Sequence, residues 1–119
     1  MSYDILLYQR AFLKRAIAED LGDWTKADPI PEIVRTKIRQ RLEGMGYAVE
    51  SDRDSCCELI HANPSWGLQV DIFRGEVAFS VPYWRDADSA IQAARRDARE
   101  VAALAGLAYF DQQTGEVET

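Results

Sequence analysis

The sequence predicts an α+β fold in a single domain spanning residues 1–119: an antiparallel sheet of five to six strands, with three helices packed mainly on one of its faces. Three observations carry this expectation. Near Tyr47 the apolar residues change from helical spacing to a spacing of two, which makes the middle of the chain a meander. Two alternating runs, Leu68 to Phe73 and Val77 to Tyr83, flank the dipeptide Arg74-Gly75 in the manner of a hairpin. A chain of 119 residues, 47% hydrophobic and 29% charged, is of a size and composition that buries one core.

Taken in order, Tyr3 to Tyr8 is rich in aromatic and branched apolar residues and predicts a first strand. From Arg10 to Leu21, Phe12, Leu13, Ala16, Ile17 and Leu21 share one helical face, and Gly22 supplies a left-handed stop. Residues 22–30 hold turn formers and Trp24 without a sustained period, which predicts a loop. Asp28, Pro29 and Pro31 open a second helix, Glu32 favours its first turn, Val34, Ile38, Leu42 and Met45 form its apolar stripe, and Gly44 and Gly46 end it.

Beyond Tyr47 and Val49, Glu50 to Asp54 reads as a charged turn and Ser55 to Ala62 as a strand. In the hairpin, Leu68, Val70 and Ile72 share one face, and Gln69, Asp71 and Phe73 the other. Pro82 donates no ladder hydrogen bond, which places it at a sheet edge or a strand end. A third helix starts within residues 86–89, with Ile91, Ala94, Ala98, Val101 and Leu104 or Ala105 as its stripe and Gly106 as its stop. Leu107 to Asp111 gives a last strand, for which parallel pairing with the first is open, and a turn and a frayed polar tail follow.

Acidic residues outnumber basic ones by 20 to 14, so the net charge is −6 and nucleic-acid or anionic-lipid partners are not expected. A basic protein partner fits this charge better. No run approaches the ~18–20 apolar residues of a membrane-spanning helix, and the N-terminus lacks a basic region ahead of its apolar stretch. Adjacent Cys56 and Cys57 point to opposite faces of a strand and do not pair, so a cytoplasmic location with free thiols is expected.

Catalytic and metal motifs are poorly represented. His61 is the only imidazole, and Cys57, four residues away on the same strand face, would lie about 13 Å from it at ~3.3 Å per residue, beyond a direct hydrogen bond. Glu50, Asp52, Asp54 and Glu58 are acidic, but a calcium loop starting at Asp52 would put Cys57 where glycine is required. There is no third glycine after Gly44 and Gly46, no Walker lysine, no Gly-x-Ser-x-Gly elbow and no Cys-x-x-Cys pair. No cofactor or metal is expected. Arg35, Lys37, Arg39 and Arg41 form a basic run on the second helix, read as a solvated face in preference to a phosphate patch. Arg95, Arg96 and Arg99, interleaved with Asp97 and Glu100, read as a mixed-charge surface.

Trp24, Trp66, Tyr83 and Trp84 lie in loops or at element ends, where large aromatics either lid a core or anchor a protein partner. The segments 63–66 and 82–84 adjoin if their strands share a sheet end. The opening Met1-Ser2-Tyr3-Asp4-Ile5-Leu6-Leu7-Tyr8 and the closing stretch from Gly106 through Tyr109, Phe110 and Asp111 to Gly115 resemble the ends of small uncharacterised bacterial proteins, some of them akin to immunity proteins that neutralise a cognate toxin by binding it. The resemblance implies a non-enzymatic binding role and carries over no functional residue. Two other readings compete with it: a ligand pocket or enzyme site built from His61, Gln69 and Asp71, and a homodimer held by a sheet edge or by the tryptophans.

Overall fold

The computed structural model describes residues 2–22, 24, 26–84 and 86–119; positions 23 and 25 of the expected loop, and Met1, lie outside it. Its elements are β1 (Ser2–Gln9), α1 (Arg10–Ala18), α2 (Glu32–Gly44), β2 (Tyr47–Arg53), β3 (Cys56–His61), β4 (Gln69–Phe73), β5 (Val77–Pro82), α3 (Ala87–Ala105), β6 (Leu107–Asp111) and β7 (Val117–Glu118). The described strands form one antiparallel sheet in the order β2-β3-β4-β5-β1-β6-β7. The α+β class is as the sequence predicts, but with seven strands. The additional one, β7, is built from the tail expected to fray, which pairs with Tyr109 and Phe110 and is latched to α3 by Arg99 bonding Glu116 and Glu118 at 2.8–2.9 Å.

Alternation along the strands sorts the sheet into two faces. On the helical face, Ile5, Leu7, Leu59, Val70, Ile72, Val77, Phe79, Val81, Leu107 and Tyr109 pack against Ile38 and Leu42 of α2 and the small stripe Ala90, Ala94, Ala98 and Val101 of α3. Alanine at these positions lets α3 lie close to the strands. Leu104 is exposed, so Ala105 completes the stripe. On the other face α1 covers only the β1–β6 side, through Tyr8, Phe12, Leu13, Ala16 and Ala108.

Several local expectations are corrected. α1 ends at Ala18, and its left-handed residue is Asp20 (φ 49°), not Gly22. The amide of Leu21 donates to the carbonyl of Ala16 and that of Asp20 to Ile17, a Schellman closure in which an aspartate tolerates the αL conformation. β2 runs through the predicted charged turn, because a bulge near Glu50 shifts the register between Val49 and Ser51 and the chain reverses at Asp54-Ser55 instead. Parallel pairing of β1 is excluded: it pairs antiparallel with both β5 and β6.

The Arg74-Gly75 hairpin forms, with Ile72 opposite Val77 and the Phe73 amide donating to the Glu76 carbonyl at 2.8 Å. Its glycine is there for space and not for a left-handed turn. Gly75 lacks a positive φ, and a Cβ on it would stand 2.7 Å from the carbonyl oxygen of Ala27.

Among the described residues two carboxylates are buried. Asp111 is fully buried, accepts from the Tyr3 hydroxyl and from the amides of Gln113 (3.0 Å) and Thr114 (3.1 Å), and lies 3.5 Å from Arg95. Asp97, expected in a mixed-charge surface, is 2% exposed and accepts from the Tyr47 hydroxyl at 2.8 Å and from Arg96 at 3.1 Å. Among the described residues no helix is long and apolar enough to cross a membrane.

Candidate binding surface

Because α1 covers only one side of its face, the strands β3, β4 and β5 and the start of β1 leave the other side without a helix. Register places Cys56, Glu58 and Ile60 of β3, Gln69, Asp71 and Phe73 of β4, Ala78 and Ser80 of β5 and Asp4 of β1 on this open face. Glu58 lies directly across from Asp71, and Gln69 from Ser80, which in turn faces Asp4. The Cys56 sulfur and one carboxylate oxygen each from Glu58 and Asp71 lie within 4.8 Å of one another.

Like charges directly opposite on neighbouring strands destabilise a sheet. Neither Glu58 nor Asp71 joins an ion pair among the described residues; Asp71 accepts only from the Gln69 amide, at 2.8 Å. Burial, and then the Asp71 and Glu58 charges, push the Cys56 thiol up to about 11, so it stays protonated at neutral pH. The centre of the open face is therefore an acceptor-rich patch with an unbalanced negative charge. It is suited to an ammonium or guanidinium group.

Aromatic side chains stand at both ends. At the end where β4 begins, Gly67 (φ +60°) continues the open-face alternation, and the Trp84 indole occupies the space its missing side chain would fill, 2.5 Å from a Cβ built there. Trp84 is 56% exposed. Tyr83, also exposed, accepts a hydrogen bond from the Gln113 side chain at 2.6 Å. At the opposite end Trp24, Phe73, Gly75 and Glu76 line a hollow of about 530 Å³. Trp24 is held there by its indole N–H donating to the Leu21 carbonyl at 2.8 Å and by edge contacts with Tyr8 and Phe12. From Gly67 to Phe73 the face spans about 20 Å at ~3.3 Å per strand residue.

Three of the four aromatics singled out in the sequence, Trp24, Tyr83 and Trp84, thus sit at the ends of the sheet around the open face. Trp66 does not. It packs against the helical-face core and stacks 4.7 Å from His61, which in turn meets Tyr47 edge-on at 5.0 Å. The 63–66 and 82–84 segments do adjoin, through Gly67 against Trp84 and the Ser65 hydroxyl 3.4 Å from Asp86.

The residues of the competing pocket are divided between the faces. Gln69 and Asp71 bond each other on the open face, whereas His61 belongs to the helical face, where burial lowers its basicity and its Nδ1 accepts from the Asn63 amide at 2.9 Å. The two cysteines are free and on opposite faces, as expected. Sequence reasoning identified Gln69 and Asp71 but missed Glu58 and Asp4 as their neighbours. Cross-strand opposition depends on the strand order, which no local pattern encodes. Comparison with protein-family models, with curated proteins and with solved structures finds no match for this chain.

Proposed function

We propose that this chain is a non-enzymatic protein-binding domain, of the immunity type, that captures a basic protein partner on its open sheet face. The observation that carries this reading is the opposed, unbalanced pair Glu58 and Asp71 in the middle of a helix-free face bordered by exposed aromatics. The carboxylates attract and orient a cationic segment, while Trp84 and the Trp24–Phe73 hollow supply the aromatic anchors typical of interface hot spots. The net charge of −6 steers a basic partner toward the surface as a whole.

The test is co-expression with basic toxins encoded beside the gene, scored by cell survival and by co-purification of the named toxin. Wild-type protein rescues growth and retains the toxin; Glu58→Lys/Asp71→Lys and Trp84→Ala, each folded by circular dichroism, lose both. A chain that stays alone and protects no cell, or a double charge reversal that protects as well as wild type, refutes the proposal.

A further inference from the structure

The open face has room for one more helix beside α1. That helix sits over β1 and β6. Two strand spacings further on, about 10 Å at ~4.8 Å each, runs the line between β5 and β4, and about 8–10 Å is the distance at which neighbouring helices pack. Along that line β5 turns only Ala78 and Ser80 to this side, and β4 turns Gln69 and Asp71. Short side chains on β5 let an element lie low, as the alanines of α3 do on the helical face.

Backbone chemistry selects the conformation of what lies there. β3, β4 and β5 each have a strand on both sides, so their amides and carbonyls are committed to the ladder. A segment laid over them meets side chains only and must satisfy its own backbone groups. An α-helix does this internally, whereas an extended segment leaves them unpaired as water is excluded.

Side-chain chemistry sets the pattern. Register puts Asp4, Glu58 and Asp71 on this side, and the one cation that β2 adds is Arg53, across from Cys56 at the β2–β3 tip. Along β4, at ~3.3 Å per residue, Asp71 is about 7 Å from Phe73 at the Trp24 hollow and about 13 Å from Gly67, where Trp84 is seated. At ~1.5 Å rise per residue these intervals equal about four and about eight to nine helical residues. The positions of one helix face that fit them best are i, i+4 and i+11.

We infer that the open face captures its partner through a single amphipathic α-helix lying along β4 beside α1. Read from the Trp24–Phe73 hollow, this helix carries a large apolar residue at i, a lysine or arginine at i+4 against Glu58 and Asp71, and a second apolar residue at i+11 against Trp84. The inference rests on the open face being the capture surface, and adds the conformation and the residue pattern of what is captured.

The probes are two alanine-rich peptides of about sixteen residues, long enough to hold a helix. One carries Leu, Lys and Leu at i, i+4 and i+11, and the other carries them at i, i+7 and i+11, which presents the same pattern with the chain direction reversed. Each is titrated into the full chain at low ionic strength by calorimetry and by far-UV circular dichroism. Saturable one-to-one binding of at least one peptide, with a gain in helical signal, is expected. A proline at the peptide's centre, or a shift of its lysine by two positions to the opposite helix face, should weaken binding about tenfold or more without touching the protein. Glu58→Lys/Asp71→Lys, folded by circular dichroism, should do the same from the protein side. No binding of either peptide at millimolar concentration, or equal binding by the proline-broken or shifted-lysine peptide, overturns the helix inference. Capture by the open face survives that result if toxin rescue still depends on Glu58 and Asp71, and both readings fall if it does not.

Discussion

Replacing Gly67 by alanine is the sharpest perturbation of the open face, because it combines two separable effects. Gly67 has φ +60°, where an L residue costs about 1–2 kcal/mol. Its added Cβ would also stand 2.5 Å from the Trp84 ring and 2.8 Å from the Pro82 ring, and overpacking of this kind costs about 1–3 kcal/mol. Gly106, the left-handed cap of α3, has nearly the same φ, +67°, and nothing within 4 Å of its Cβ position. Gly106→Ala therefore measures the backbone effect alone.

Urea unfolding followed by circular dichroism should show Gly67→Ala losing about 2–5 kcal/mol and Gly106→Ala about 1–2 kcal/mol. The excess reports displacement of Trp84. Most of it should disappear when Gly67→Ala is introduced into a Trp84→Ala background, since the indole is the nearest obstacle. Equal losses for the two glycines, with tryptophan emission unchanged in Gly67→Ala, would refute the placement of the indole on the open face.

Tyr47→Phe removes the hydroxyl that Asp97 accepts at 2.8 Å and leaves that buried carboxylate with Arg96, whose side chain is 71% exposed. A loss of about 1.5–3 kcal/mol in urea melts is expected, and a Tyr47→Phe/Asp97→Ala cycle should be strongly non-additive; additive losses would mean that the bond contributes nothing. Tyr8 and Tyr47 are pushed well above the usual tyrosine range, first by burial and then by their bonds to Glu76 and Asp97, and Tyr3 is raised to about 12 by burial and Asp111. The unfolded chain releases these protons near pH 10 while the folded one keeps them. Stability is therefore intact below about pH 10 and falls above it, by up to ~1.4 kcal/mol per pH unit for each such tyrosine. Stability measured against pH should decline less steeply in Tyr47→Phe, and a flat curve through pH 11 would contradict these assignments.

Element type and core composition were legible in the amino-acid sequence because each rests on a short period. Val34, Ile38, Leu42 and Met45 announce the buried side of α2, and Leu68, Val70 and Ile72 the helical face of the central hairpin, through spacings that local geometry imposes. Gln69, Asp71 and Phe73 were likewise assigned to one shared face from alternation alone. Chain reversals were read less well. A bulge moved the first hairpin turn to Asp54-Ser55, and Asp20 took the left-handed position offered to Gly22, since a Schellman closure depends on which carbonyls the helix end leaves free.

The tertiary structure alone decided what lies across from what. The sheet order β2-β3-β4-β5-β1-β6-β7 sets Glu58 against Asp71 and brings the β1 carboxylate Asp4 beside Ser80, which comes from far along the chain. It also sends α1 to the side opposite α2 and α3, where one short helix shields β1 and β6 and leaves the central strands β3, β4 and β5 bare. Burial of Asp97 and the seat of Trp84 over Gly67 are both contacts between distant segments. Periodicity determines which side of an element is apolar; the neighbour against which that side is placed follows from how all the elements pack together, and the open face arises at that level.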